Sequence, residues 1–263
     1  MIEDRILSIV TVVKDDLEGF KRTLNSIETS VSKNETLGLA FQFEWIVVDS
    51  SLNQNLIQNI LERQDLKYSY MWTNPEGVYP AMNKAAEISD GEYLYFLNAG
   101  DEFYSEASLP TIIELCKKGH EWFYGGVAFL NKSGLVIIPE PFDYQSELRC
   151  HFGRGRFPPH QGTVVSKSLF EKLGGFNTSY KIVADYVMVL KLSQLSEPKE
   201  VDSILALFPM NGISNYKWRD SLKEFHRARI ETFKLDGFSG TVERGRYVFQ
   251  LLKTLLAKTF HRI

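Results

Sequence analysis

The sequence predicts an α/β fold in which a mostly parallel central sheet is flanked by helices, and three observations carry that expectation. Residues 6–13 are nearly all apolar and β-branched, as in a strand covered on both faces. Amphipathic helical patterns then alternate with short strands as far as residue 97. Two of those strands are followed by acidic residues, Asp49 and Asp101, at the edge where open α/β sheets bind ligands.

Taken in order, residues 17–27 place Leu17, Phe20, Leu24 and Ile27 at helical spacing. Residues 43–48 return as a strand closed by Asp49-Ser-Ser51, which completes a βαβ unit. A helix at 56–61, a strand at 68–72 and a helix at 79–88 lead to a buried, aromatic-rich strand at 93–97. Asn98, Ala99 and Gly100 then bend the chain so that Asp101 stands at that strand's carboxyl end. Past Ser105 the pattern loosens into a helix at 109–117 and strands at 122–130 and 135–138. Residues 139–159, rich in Pro, Gly and Arg, have the composition of a mobile loop over a site. A strand at 162–165 and helices at 168–173 and 185–195 follow, and the tail from Ser221 reads as helical apart from a break at 236–240.

At 263 residues, 44% apolar and 24% charged, the chain has the make-up of an ordinary globule. A net charge of −3 gives no reason to expect nucleic-acid binding, which calls for a basic excess or stripe. Cys116 and Cys150 form no CxxC pair, so a cytoplasmic, reducing setting is expected. Glu3 and Asp4 precede the first apolar stretch, the wrong charge pattern for a signal peptide. No run reaches the roughly 20 apolar residues that span a bilayer.

Five segments, in this order, resemble inverting GT-A glycosyltransferases of family 2, especially bacterial enzymes that build surface polysaccharides. Ser8-Ile-Val-Thr-Val-Val13 and Trp45-Ile-Val-Val-Asp-Ser-Ser51 are similar to that family's first two strands. Gly77-Val-Tyr-Pro-Ala-Met-Asn-Lys84 is similar to the segment leading into the helix before the metal strand. Leu97-Asn-Ala-Gly-Asp101 sits where the family carries a DxD-like element, and Ala184-Asp-Tyr186 where it carries the catalytic base. The resemblance covers roughly residues 6–215. It implies a GT-A domain over 1–215, with a nucleotide-binding half at 1–104 and an acceptor-binding half at 105–215, followed by a helical C-terminal extension at 216–263.

The implied activity is metal-dependent transfer of a sugar, with inversion, from a nucleotide-diphosphate sugar, a UDP-sugar first, to a saccharide or polyprenyl-linked saccharide. Thr11, Val13, Asp49, Ser51 and Asn83, with Asn98, Ala99 and Gly100, would bind the nucleotide sugar; for Asp49 the competing role is a turn residue bonding the amides of Ser51 or Leu52. Asp101 would hold Mn²⁺ or Mg²⁺, which prefer oxygen ligands, and its competing role is a helix cap. Here the chain departs from the full pattern, since Asn98 and Gly100 stand where other members have carboxylates. Asp185 would be the general base, with an N-cap as its competing role, and Val187 occupies the place of a second Asp in many relatives.

His160 and Gln161, together with Arg154 and Arg156, are candidate acceptor or diphosphate contacts, as is Ser214 in the turn Asn211-Gly-Ile-Ser214. In the tail, Arg244, Arg246, Lys253, Lys258 and Arg262 accompany an apolar helical face of Val248, Leu252, Leu255, Leu256, Thr259 and Ile263. That face suits either an anionic membrane surface, at the inner side of the cytoplasmic membrane, or packing on the domain. Two other functions remain open at this point: a non-catalytic sugar-nucleotide-binding module, and a sugar nucleotidyltransferase. The second would require a Gly-rich phosphate loop where Lys14-Asp-Asp-Leu17 stands.

Overall fold

The structure, a computed structural model, describes residues 6–34, 42–131, 133–149, 156–209 and 217–260. The strands are β1 (Leu7–Val13), β2 (Phe43–Asp49), β3 (Tyr68–Trp72), β4 (Tyr93–Phe96), β5 (Glu102–Phe103), β6 (Trp122–Leu130), β7 (Val136–Ile137), β8 (Thr163–Ser166) and β9 (Lys199–Pro209). They form one sheet in the order β3-β2-β1-β4-β8-β6-β9-β5, with β7 added against β6. The helices are α1 (Leu17–Lys33), α2 (Asn55–Leu61), α3 (Val78–Glu87), α4 (Ser108–Lys117), α5 (Lys167–Lys172), α6 (Ala184–Leu195), α7 (Trp218–Phe233) and α8 (Gly237–Phe260).

The expected parallel sheet holds over β3-β2-β1-β4 and again between β6 and β9. It becomes mixed where β8 runs antiparallel to both β4 and β6, and where β5 and β7 join as short antiparallel strands. The sequence reading did not assign β9 or β5. In β9 the first four residues, Lys199-Glu-Val-Asp202, are mostly charged and partly exposed, which hides the buried run that follows.

Both faces of the parallel half are covered, which is why β1 and β2 are apolar without alternation. Val10, Val12, Ile46 and Val48 face a core built with α3, α5, α6 and Ala228 of α7. Leu7, Ile9, Trp45 and Val47 face a second core with α1, α2 and α4. At the amino ends of these strands the buried Glu44 carboxylate accepts from Ser8 Oγ (2.5 Å), Asp90 N (2.6 Å) and Gly91 N (3.1 Å). Gly91 passes β1 so closely that a Cβ there would lie 2.6 Å from Ser8 N, so only glycine fits.

The tail is helical as expected, but its break is confined to Lys234–Asp236 rather than 236–240. Helix α7 packs on α6, and α8 is fastened to α7 by a buried ion pair, Arg229 Nε to Glu243 Oε1 at 2.6 Å. His226 lies 3.4 Å from the same carboxylate and stacks on Tyr247. Among the described residues no helix is long and apolar enough to cross a membrane.

Candidate active site

The site forms at the carboxyl ends of β1 and β4. The β1–β4 ladder continues past β4 through Leu97 N to Val10 O (2.9 Å) and Ala99 N to Val12 O (3.1 Å). Asp101 N then closes a turn onto Asn98 O at 2.9 Å, with Gly100 at φ +98, a left-handed geometry that favours glycine. Thr23 of α1 holds the turn from below. Its hydroxyl accepts from Gly100 N (3.0 Å) and donates to Asp101 O (2.7 Å). Sequence reasoning passed over Thr23; the signal available was a threonine on the apolar stripe of Phe20, Leu24 and Ile27, and the structure buries it fully. Losing the hydroxyl would leave two buried backbone groups unpaired, a cost of about 1–3 kcal/mol.

Asp101 is 4% exposed, and burial pushes its carboxyl up to about 7. Nearby His160 and hydrogen bonds from the Gln161 side chain and the Asn98 backbone oppose that rise without cancelling it. Gln161 itself is fixed by its carbonyl, which accepts from the buried Tyr95 hydroxyl at 2.6 Å.

The one-turn helix His160–Gly162 sets His160 between the turn and α6. Asn98 Nδ2 lies 3.2 Å from His160 Nε2, and His160 Nδ1 lies 3.3 Å from Asp185 Oδ2. With Asn98 donating to Nε2, the ring donates through Nδ1 to Asp185. The other oxygen, Asp185 Oδ1, accepts from Tyr79 Oη (3.0 Å) and from Tyr186 N (2.9 Å). Burial first, and Asp185 second, hold the Tyr79 phenol well above its ordinary value, so it remains a donor. Tyr79 was not singled out in the sequence; it stands inside the quoted segment Gly77-Val-Tyr-Pro80, at the start of α3. Asp185 sits in the first turn of α6 but does not cap it: the cap position is Val183, and the Asp185 side chain is 18% exposed.

The nucleoside end is more closed than expected. Thr11 is fully buried, donating to Leu97 O (2.7 Å) and accepting from Trp45 Nε1 (2.9 Å), so its side chain supports the sheet instead of lining a pocket. Val13 is likewise packed in the core beneath. Asp49 takes its turn role: Oδ1 accepts from Ser51 N (2.8 Å), Oδ2 from Tyr70 Oη (3.1 Å), and none of it is exposed. Ser51 Oγ accepts from Asp15 N (2.8 Å), tying the β1–α1 loop to the end of β2, while Trp72 Nε1 donates to Ser51 O (3.1 Å).

One further expectation is narrowed and one is corrected. Asn83 grips the backbone of Phe176, donating one N–H to its carbonyl and accepting from its amide, both at 2.9 Å, so a sugar-nucleotide contact is left to its second N–H. Arg156 is bound to Glu147 and to the carbonyls of Glu140 and Pro141, so it staples the 139–149 segment instead of standing free for phosphate. Within that segment Tyr144 and Leu148 are buried. Arg154 and Ser214 lie outside the described residues.

Among the described residues no three His, Cys, Asp or Glu side chains are grouped to hold a metal by themselves. A cation shared with a diphosphate fits the residues present. Asp101 supplies a carboxylate, and the Oδ1 of Asn98, three residues before it, is buried without a hydrogen-bond partner. Glu102, the other acid at hand, lies 3.6 Å from Arg22.

The sequence profile described as Glycosyl transferase family 2 matches residues 8–174. An uncharacterized glycosyltransferase of Mycobacterium tuberculosis is 25% identical over 213 residues, 80% of this chain and 78% of that protein. A PGL/p-HBAD biosynthesis glycosyltransferase of Mycobacterium bovis is 30% identical over 114 residues, 42% of this chain and 41% of that one. Among solved structures, S. aureus TarS 1–349 in complex with UDP-GlcNAc superposes with a TM-score of 0.62 at 14% identity, covering 90% of this chain and 69% of that one. A mannosyltransferase from Pyrobaculum calidifontis in complex with GDP-Man and Mn²⁺ does so with a TM-score of 0.60 at 13% identity, covering 89% and 65%.

Proposed function

This chain belongs to glycosyl transferase family 2, and from that membership we propose an inverting transfer of one sugar from a nucleotide-diphosphate donor to a hydroxyl of a saccharide or lipid-linked saccharide, in the assembly of a cell-surface polysaccharide. The observation that carries the reading is the imidazole of His160, which spans the gap between Asn98 of the Asp101 turn and Asp185. It joins the place for a leaving diphosphate to the place for a base.

In this reading the nucleoside lies over the ends of β1 and β2, and the diphosphate over residues 98–101. Asp185 Oδ2 takes the proton of the acceptor hydroxyl as its oxygen bonds to the anomeric carbon. The bond from that carbon to the diphosphate breaks on the opposite side, which inverts the centre. Tyr79 and Tyr186 N hold Oδ1, so that Oδ2 is the oxygen presented to the acceptor. A Mn²⁺ or Mg²⁺ ion held by Asp101 and Asn98 would neutralise charge on the leaving diphosphate.

A panel of UDP-GlcNAc, UDP-glucose and GDP-mannose with Mn²⁺ tests the proposal by thermal shift and by nucleoside diphosphate release. A donor at 100 times its Kd should stabilise the fold by about 2.7 kcal/mol, and at least one is expected to be turned over. No stabilisation and no release across the panel would refute it, whereas stabilisation without release would favour a non-catalytic sugar-nucleotide-binding module.

Helix α8 supports a membrane-proximal acceptor. Phe238, Val248, Phe249, Leu252 and Leu256 are each at least half exposed, beside exposed Arg244, Arg246 and Lys253. That combination of apolar and basic groups suits an anionic lipid surface. The full-length protein is expected to sediment with phosphatidylglycerol vesicles and less with phosphatidylcholine vesicles, and Leu252→Ser with Leu256→Ser should release it. Equal sedimentation of parent and variant would exclude this face.

A further inference from the structure

Helix α6 carries Asp185 in its first turn, yet its cap residue, Val183, has no side chain able to bond the backbone there. The amides leading into the helix are instead taken by Glu224 of α7, more than forty residues away in sequence. Its Oε1 accepts from Lys181 N (2.9 Å), and its Oε2 accepts from Ile182 N (2.9 Å) and Val183 N (3.2 Å). Three consecutive backbone donors on one carboxylate fix the path of the chain immediately before Asp185.

The same segment is held from α7 at other points. Tyr180 donates to Glu231 Oε2 at 2.5 Å, and the Arg227 guanidinium lies 3.8 Å over the Tyr180 ring while donating to Ser179 O. The Ile182 carbonyl, on the residue whose amide Glu224 binds, lies 2.8 Å from Tyr79 Oη, so that one hydroxyl proton is shared between Ile182 O and Asp185 Oδ1 at 3.0 Å. Glu224, Ile182, Tyr79 and Asp185 therefore form one connected arrangement.

We infer that Glu224 is a positioning residue for transfer, acting through the 181–183 backbone to hold Asp185 against the acceptor; this rests on the reading of Asp185 as the base. Glutamine has the same shape, but its amide nitrogen cannot accept, so Glu224→Gln turns one side of the carboxylate from acceptor to donor against backbone N–H groups. Small displacements of a reacting group are expensive in rate, so kcat should fall by about 10- to 100-fold while the donor KM stays near its parent value.

The test measures nucleoside diphosphate release from whichever of UDP-GlcNAc, UDP-glucose or GDP-mannose the parent turns over, alongside hydrogen exchange of the peptide containing residues 181–187. Faster exchange there together with a loss confined to kcat supports the inference. Unchanged kcat, or a loss expressed only in KM, would overturn it, as would parent-like exchange. An Asp185→Asn variant with full activity would instead remove the base assignment on which the inference stands. If Glu224→Gln fails to fold, Glu224→Asp, which retains both acceptors on a shorter arm, should keep the fold and still lose kcat.

Discussion

Asp185→Asn is expected to lower turnover by about 10²- to 10⁴-fold, the range that a positioned general base contributes, while donor binding and the melting temperature change little. The geometry supports that separation. Asparagine keeps an oxygen for Tyr79 Oη and Tyr186 N, so the start of α6 retains its hydrogen bonds. What is lost is the second carboxylate oxygen, 3.3 Å from His160 Nδ1, on a side chain that is 18% exposed. An amide nitrogen there cannot take a proton from an attacking hydroxyl. Initial rates of nucleoside diphosphate release, with donor-induced thermal shift as the control for binding, decide the matter. Parent-like rates would take the base role away from Asp185 and leave His160 as the proton acceptor to examine.

Asp101→Asn should abolish turnover and at the same time stabilise the ligand-free protein. Burial has raised this carboxyl from an ordinary 3.8 to about 7. Between about pH 4 and pH 7 the native state therefore holds a proton that the unfolded chain has released. The associated stability is fully present below about pH 4 and is lost as pH rises through 7. At ~1.4 kcal/mol per pH unit, a window of about three units is worth on the order of 4 kcal/mol. Asparagine does not titrate, so the variant should melt higher than the parent at pH 8 and depend less on pH over this range. On the proposed reading, a proton and a divalent cation compete for Asp101 in the parent, so Mn²⁺-supported turnover should rise between about pH 6 and pH 8 and vanish with a chelator. A variant that melts below its parent at pH 8, or that keeps Mn²⁺-dependent turnover, would contradict this account.

How far the sequence could be read depended on how local each residue's job is. The strands β1, β2 and β4 and the turn after β4 were legible because their signal lies in consecutive residues: unbroken apolar runs, then Asn, Ala, Gly and Asp. Asp101, His160, Gln161 and Asp185 were legible as candidates, and the structure brings all four together with Asn98. The hold of Asn83 on Phe176 was not legible because the two lie 93 residues apart and nothing near Asn83 announces it. Glu224 was invisible for the same reason, its targets standing 41 to 43 residues earlier. Thr11 looked like a ligand contact because it is polar near a strand's carboxyl end. Its place beside the Trp45 indole, which needs an acceptor in the core, becomes visible only when β1 and β2 are laid side by side. Arg156 reads as a phosphate clamp in an irregular stretch until Glu147 is seen across from it.

The ion pair between Arg229 and Glu243 bears on how such a chain can diverge. A guanidinium that loses the carboxylate it is paired with inside a protein is costly, typically 3–5 kcal/mol, and Arg229 also reaches Tyr186, the residue after Asp185, at 3.4 Å. Helix α8 is therefore not a detachable module that can be shortened or exchanged between relatives at the Lys234–Asp236 break. A donor of a new tail would have to bring a matching acid for Arg229, or the recipient would have to give up the arginine first. The tail is thereby constrained to evolve together with the start of α6, where Asp185 stands.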